Sequence, residues 1–165
     1  MNKLFIALLV LCSSYAGASA NEEAVRFVEE FGIGKNLKPI AARTAMGMKT
    51  FKIILDIAGK EGAQKLIVPA MEDSISKYQD DWNASLAVAY LKYFTEDQLK
   101  SVREKKKNSP YFSELGKKQA LIGKFMQENS KELLVKIVSE AMQKAYENAT
   151  SSNKSIQPTA KAAAD

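Results

Sequence analysis

Apolar residues recur at helical spacing along almost the whole chain, and that period confines the fold to packed helices. Ala24, Phe27, Val28 and Phe31 fall at i, i+3, i+4 and i+7, which predicts a first helix from Asn21 to about Phe31. Gly32 and Gly34 then stop it. Asn36 is placed to cap a second helix that carries Pro39 in its first turn. Ile40, Thr44, Gly47, Met48, Phe51, Leu55 and Ala58 form its expected stripe, until Gly59 and Gly62 interrupt. Leu66-Ile67-Val68 is open to a strand or a buried helical turn. Ile67, Met71, Ile75, Tyr78 and Trp82 continue at helical spacing, and no second strand candidate exists to pair, so the expectation is a helix starting or kinking at Pro69.

Asp80 or Asp81 is expected to cap a helix bearing Trp82, Leu86, Ala89, Tyr90 and Tyr93. Thr95 with Gln98 makes a capping box, and Phe94 ahead of the cap can staple onto Leu99. That helix runs to about Lys107 and ends in cations, which suit the negative end of the helix dipole. Ser109-Pro110 restarts the chain as cap followed by proline. Phe112, Leu115, Ile122, Phe125, Met126, Leu133, Ile137, Ala141 and Tyr146 then form a stripe too long for one ordinary helix. A break near Gly123 or at Asn129-Ser130 is expected. Thr150 to Asp165 is rich in Ser, Asn and Ala with no core-forming residues and reads as a disordered tail. The sum is an all-α antiparallel bundle of helical hairpins, about 5–6 helices, in a single domain over residues 21–149.

Residues 1–20 have the three parts of a cleavable secretory signal. Lys3 supplies the positive start, Leu4 to Cys12 is uninterrupted apolar sequence, and Ala18-Ser19-Ala20 is an A-x-A cleavage site ahead of Asn21. The apolar run is too short for a membrane span, which needs about 20 residues. Lipidation of Cys12 is disfavoured, because Val10 and Leu11 precede it where small residues are wanted. The expected compartment is the bacterial periplasm. Removing 20 of the 165 residues leaves 145, and loss of Lys3 lowers the net charge from +5 to +4.

Cleavage also discards the only cysteine, and the chain contains no histidine. Thiol nucleophiles, Ser-His pairs, imidazole metal ligands and disulfides are therefore absent from the mature sequence. No cofactor, metal or catalytic residue is expected. The mild positive charge lacks the concentration of a nucleic-acid binder. Acidic pairs at Glu22-Glu23, Glu29-Glu30, Glu72-Asp73, Asp80-Asp81 and Glu96-Asp97 are adjacent and so do not face each other on a helix; several are expected at helix starts, where negative charge is favoured.

The one charge concentration is Lys100, Arg103, Lys105, Lys106 and Lys107 with Lys117 and Lys118. It reads as a solvated helix end, with an anionic membrane or envelope surface as the functional alternative. Met46, Met48, Met71, Met126 and Met142 suit either core packing or an adaptable groove, and core packing is the expectation. Trp82 is read as a partly buried anchor. Asn83-Ala84-Ser85 and Asn148-Ala149-Thr150 match the glycosylation sequon.

Tyr90, Tyr93, Phe94, Thr95, Glu96 and Leu99, then Ser109, Pro110, Leu115, Gly116 and Lys117, follow an order that resembles an exported bacterial family catalogued as domain of unknown function 2059. The likeness is closest over residues 85–127. Lys105-Lys106-Lys107 stands where that family usually has an aromatic pair, and Gly116 lies farther from Pro110 than in its tighter turn. The resemblance implies an exported all-α domain and brings no activity or site residues. The expectation is a non-enzymatic protein acting by protein–protein interaction or self-association.

Overall fold

The computed structural model describes residues 16–156. Six α-helices run through them: α1 (Ala16–Glu30), α2 (Leu37–Met46), α3 (Lys49–Leu91), α4 (Glu96–Lys105), α5 (Phe112–Asn129) and α6 (Lys131–Ile156). Short 3-10 turns, Ile33–Asn36 and Lys106–Asn108, join α1 to α2 and α4 to α5. There is no strand among the described residues, so the bundle is all-α as the spacing demanded.

The core forms where α3 and α6 lie antiparallel. The Ser74 hydroxyl donates to the Ile137 carbonyl at 2.7 Å, and one turn further along α3 Tyr78 donates to Glu140 at 2.6 Å. Asp73 pairs with Lys144, and Lys77 with Glu140, so the register runs in opposite directions on the two helices. Ile137, Val138, Ala141, Met142, Ala145 and Ala149 of α6 are buried against Ala70, Met71, Tyr78 and Trp82 of α3 within one core cluster. Burial of this kind, about 25 cal/mol per Å² of apolar surface, is the main driving force in a chain without disulfides.

α1 packs on the C-terminal part of α3 through Phe27, whose ring meets Tyr90 at 5.1 Å edge-on and Phe31 at 4.8 Å. Gly32 ends the helix with φ 62°, a conformation that favours glycine. The described part of α1 crosses the Ala20–Asn21 bond, so the expected cut falls within the helix, three residues ahead of the buried Ala24. Residues 1–15, with Cys12 and the apolar run, lie outside the described residues.

Several boundaries differ from the sequence expectation. The second stripe is divided: α2 ends at Gly47, and Met48, with extended φ/ψ, begins α3. Because the two pieces roll independently, α2 buries Leu37, Ala41 and Ala45, while Ile40 is exposed. Asn36 precedes α2 without a side-chain cap bond; its Oδ1 accepts from Trp82 instead. The break in α3 is at Gly59 (φ 68°, ψ 176°), not at Pro69, which stays inside the helix. Pro69 is on the solvent face, where water can take the place of its missing N–H. No helix starts at Asp80 or Asp81, which sit mid-α3.

Gly123 does not interrupt α5; the break comes at Asn129-Ser130. α4 stops at Lys105, and Lys106 takes φ 51° in the turn that follows. Ser109 does not serve as the helix cap directly before a first-turn proline, since α5 begins only at Phe112. Ser109 is buried, within 3.0 Å of the Ser101 hydroxyl, and its own Oγ accepts from the Tyr111 N–H. The expected tail is helical to Ile156, and residues 157–165 lie outside the described residues.

The capping box of α4 is present as read. The Gln98 N–H donates to Thr95 Oγ1 at 3.3 Å, and the Thr95 N–H donates to Gln98 Oε1 at 3.0 Å. Phe94 and Leu99 flank it, and both are buried. Leu115 is half-buried and Gly116 exposed on α5.

Candidate functional site: a groove beneath α5

α5 is the least embedded helix of the bundle. Of its residues only Ile122 and Met126 are buried, and Leu121 is 49% exposed. Three polar contacts tether its middle. Gln119 donates to the Tyr90 hydroxyl at 3.2 Å, Lys118 donates to the Tyr93 carbonyl at 2.9 Å, and the Tyr93 hydroxyl reaches the Leu121 carbonyl at 3.4 Å. The Lys118 ammonium also sits 4.7 Å from the Phe94 ring centroid.

Beneath α5 runs a groove of about 900 Å³. α3 supplies its floor with Trp82, Leu86 and Tyr90; α2 supplies Ile40 and Thr44; α5 supplies Ile122, Gly123 and Met126; and α6 supplies Leu134 and Val135. Lys124, Glu128 and Lys131 stand at its edge. Nearer the N-terminus of α5 a second hollow of about 540 Å³ is lined by Phe27, Phe31, Phe112 and Leu115. Ile33, Tyr90 and Gln119 line both, and the Gln119–Tyr90 hydrogen bond links α5 to α3 where the two spaces meet. Burial pushes the Tyr90 hydroxyl up from its ordinary value, so it stays protonated at neutral pH, and the bond from Gln119 opposes that shift only in part.

Met126 is the one methionine of the five at this groove, while Met71 and Met142 pack in the core. Met48 is half-buried and Met46 is exposed. Trp82 is fully embedded rather than partly buried, at 3% exposure, and its Nε1 donates to Asn36 Oδ1 at 2.8 Å. Sequence reasoning placed Trp82, Leu86 and Tyr90 on one stripe. It did not bring Ile40, Thr44, Leu134 and Val135 to them, because that depends on how α2 and α6 roll against α3.

The basic cluster is dispersed by the fold. Arg103 forks onto Glu23 (2.6 Å) and Glu30 (3.3 Å), tying α4 to α1. Lys106 pairs with Glu30 at 2.6 Å and lies over the Phe31 ring. Lys117 pairs with Glu114, and Lys118 is held as above. Lys100, Lys105 and Lys107 are exposed and make no ion pair among the described residues.

The acidic pairs are mostly not at helix starts. Glu96-Asp97 alone occupies a first turn; Glu22-Glu23, Glu72-Asp73 and Asp80-Asp81 are interior, and Glu29-Glu30 ends α1. A carboxylate at a helix C-terminus meets the unfavourable end of the dipole, and Lys106 and Arg103 offset that for Glu30. Asn83 of the first sequon is buried, its Oδ1 accepting from Gln79 at 2.9 Å, while Asn148 is exposed. No cluster of carboxylates able to hold a metal ion occurs among the described residues.

The clearly shifted carboxyls are all lowered. The Lys106 ammonium holds Glu30 down, with Arg103 adding to it; Lys117 does so for Glu114; and Lys77, then the Tyr78 hydroxyl, do so for Glu140. A general acid needs the opposite shift. Groups depressed on folding contribute stability above their unfolded value of 4.5, and that contribution is lost as pH falls through the lower folded value. With no histidine present, the melting temperature is expected to stay level between about pH 6 and 8 and to fall below about pH 4.5. A Glu30→Gln/Glu140→Gln variant should show a shallower acid decline in a pH series of thermal melts.

The fold and this groove together make an all-α bundle with a largely apolar cleft among α2, α3, α5 and α6. Comparison with family models, curated proteins and solved structures finds no match to this chain. No helix among the described residues is long and apolar enough to cross a membrane.

Proposed function

We propose that this is an exported, non-enzymatic binding protein that works in the periplasm by receiving an apolar group of a partner in the groove beneath α5. The observation that carries the reading is the groove itself, an apolar cleft among four helices flanked by the exposed side chains of Ile40 and Val135. Solvent-exposed apolar side chains beside a preformed apolar cleft are the arrangement expected of a binding site. The A-x-A site before Asn21 and the likeness to the exported family over residues 85–127 support the compartment. The alternative, an anionic envelope surface held by the hairpin around 100–118, retains Lys100, Lys105 and Lys107 as its unpaired cations.

The test is site-specific photo-crosslinking in intact cells of the source bacterium. A photoreactive side chain in place of Val135 is expected to capture a defined adduct, and one in place of Tyr146 is not. Gly123 faces the groove, and a Cβ there meets nothing within 4 Å. Gly123→Leu should therefore obstruct the cleft without a clash and abolish the adduct. An adduct that persists in Gly123→Leu, or none at all, refutes the groove as the binding site.

A further inference from the structure

The chemistry of the groove narrows what can lie in it. The indole N–H on its floor is already taken, since Trp82 Nε1 donates to Asn36, and the rest of the floor beside it, Leu86, Ile122 and Leu134, is hydrocarbon. An extended peptide laid there would bring a run of backbone N–H and C=O groups against Trp82, Leu86, Ile122 and Leu134, which answer none of them. A helix satisfies its own backbone but is about 10–12 Å across. The space of about 900 Å³ under α5 is that of a single small ligand, for which cavities of about 300–1,000 Å³ are usual. A hydrocarbon chain needs no hydrogen-bond partner and fits both conditions.

The edge of the groove specifies the other end of the ligand. Lys131 is exposed and makes no ion pair among the described residues, and Lys124 approaches Glu128 only to 3.9 Å. Two cations against one carboxylate leave the mouth positive. A negatively charged head placed there would stay hydrated while its tail is buried.

Resting on the reading of the groove as the binding site, we infer that its occupant is a single-chain anionic amphiphile. The acyl chain lies along Ile40, Leu134 and Val135 over the buried floor of Trp82 and Leu86, and the carboxylate or phosphate head lies at Lys124 and Lys131. Binding involves no covalent step.

Trp82 is the only tryptophan in the chain and lines the groove, so the site carries its own reporter. Stearate brominated at mid-chain, titrated into the full chain below its micelle concentration, should quench Trp82 fluorescence saturably at one molecule per chain. Unbrominated stearate and a single-chain alkyl phosphate should each reverse the quenching, and their relative potency identifies the preferred head. The brominated methyl ester should bind about tenfold more weakly, and Lys124→Gln/Lys131→Gln should weaken the acid by a similar factor while leaving the ester unchanged. Gly123→Leu should abolish quenching with its thermal melt no lower than that of the parent, since leucine replaces a helical glycine.

Absence of quenching in the folded parent overturns the inference, as does quenching that survives Gly123→Leu or an ester that binds as tightly as the acid. A Val135 photo-adduct lost in Gly123→Leu, together with no quenching, sinks the amphiphile alone and leaves the groove as a binding site. Neither adduct nor quenching sinks both.

Discussion

Gly34→Ala is expected to destabilise the protein by about 2–4 kcal/mol, a large part of the stability of a domain this size. Gly34 sits buried in the 3-10 turn between α1 and α2. A Cβ added there would lie 1.9 Å from Asn83 Oδ1 and 2.8 Å from Gln79 Nε2. Asn83 is itself buried, and Gln79 bridges its side chain to the Gly34 carbonyl at 3.1 Å. Making room thus means moving a buried amide and breaking its hydrogen bonds, which adds desolvation to steric cost. A thermal melt should fall by roughly 5–15 °C, at about 2–4 °C per kcal/mol. Gly47→Ala, whose Cβ would meet only the Thr44 carbonyl at 3.4 Å, is the control and should shift the melt far less. If the 1.9 Å approach is the cause, Asn83→Ala in the Gly34→Ala background should restore part of the loss.

Phe27→Ala should be of similar or greater size, about 3–5 kcal/mol, the usual cost of truncating a buried phenylalanine. Phe27 is 1% exposed and is the residue through which α1 grips α3, between Phe31 and Tyr90. With it removed, α1 keeps chiefly the small buried side chains Ala24 and Val28, the largely buried Arg103–Glu23 pair, and the half-exposed pairs to Glu30, which contribute only about 0–1 kcal/mol each. The helix should therefore loosen before the bundle melts. Limited proteolysis should cut within residues 21–36 of the variant under conditions that leave the parent intact, and Phe27→Leu should remain largely resistant. Uniform resistance in Phe27→Ala would mean that α1 is held by something other than this ring.

Much of the architecture was legible because the helical period depends on local spacing. The Phe27 face of α1, the Thr95–Gln98 box and the Trp82–Leu86–Tyr90 stripe all follow from residues within a few turns of one another, while the break between α5 and α6 was narrowed only to Gly123 or Asn129-Ser130. Errors arose where local rules pulled against tertiary placement. Pro69 looked like a helix boundary but lies on a solvent-facing side of α3, where its lost hydrogen bond is cheap. Gly59 takes the break because its φ of 68° is open to glycine and strained for other residues. Asp80-Asp81 and Ser109-Pro110 carried capping chemistry that the fold uses elsewhere or not at all, since α3 passes through the first and Ser109 turns inward to Ser101.

The lysine cluster shows the same division at the level of function. Its charges are adjacent in sequence, and a surface reading follows from that alone. Folding brings Glu23 and Glu30 of α1 against Arg103 and Lys106, so part of the cluster is consumed in holding α1 to α4. What the amino-acid order determined by itself was helix content, the absence of histidine, a single cysteine, and the apolar face that each long helix had to bury. The tertiary structure alone decided which cations remained unpaired and that α2, α3, α5 and α6 leave a cleft between them. The physical reason is that periodicity gives each helix a face, whereas the roll and separation of helices depend on side-chain volumes from segments far apart in the chain, as with Ala41 and Ala45 of α2 packed into the core that α3 and α6 share.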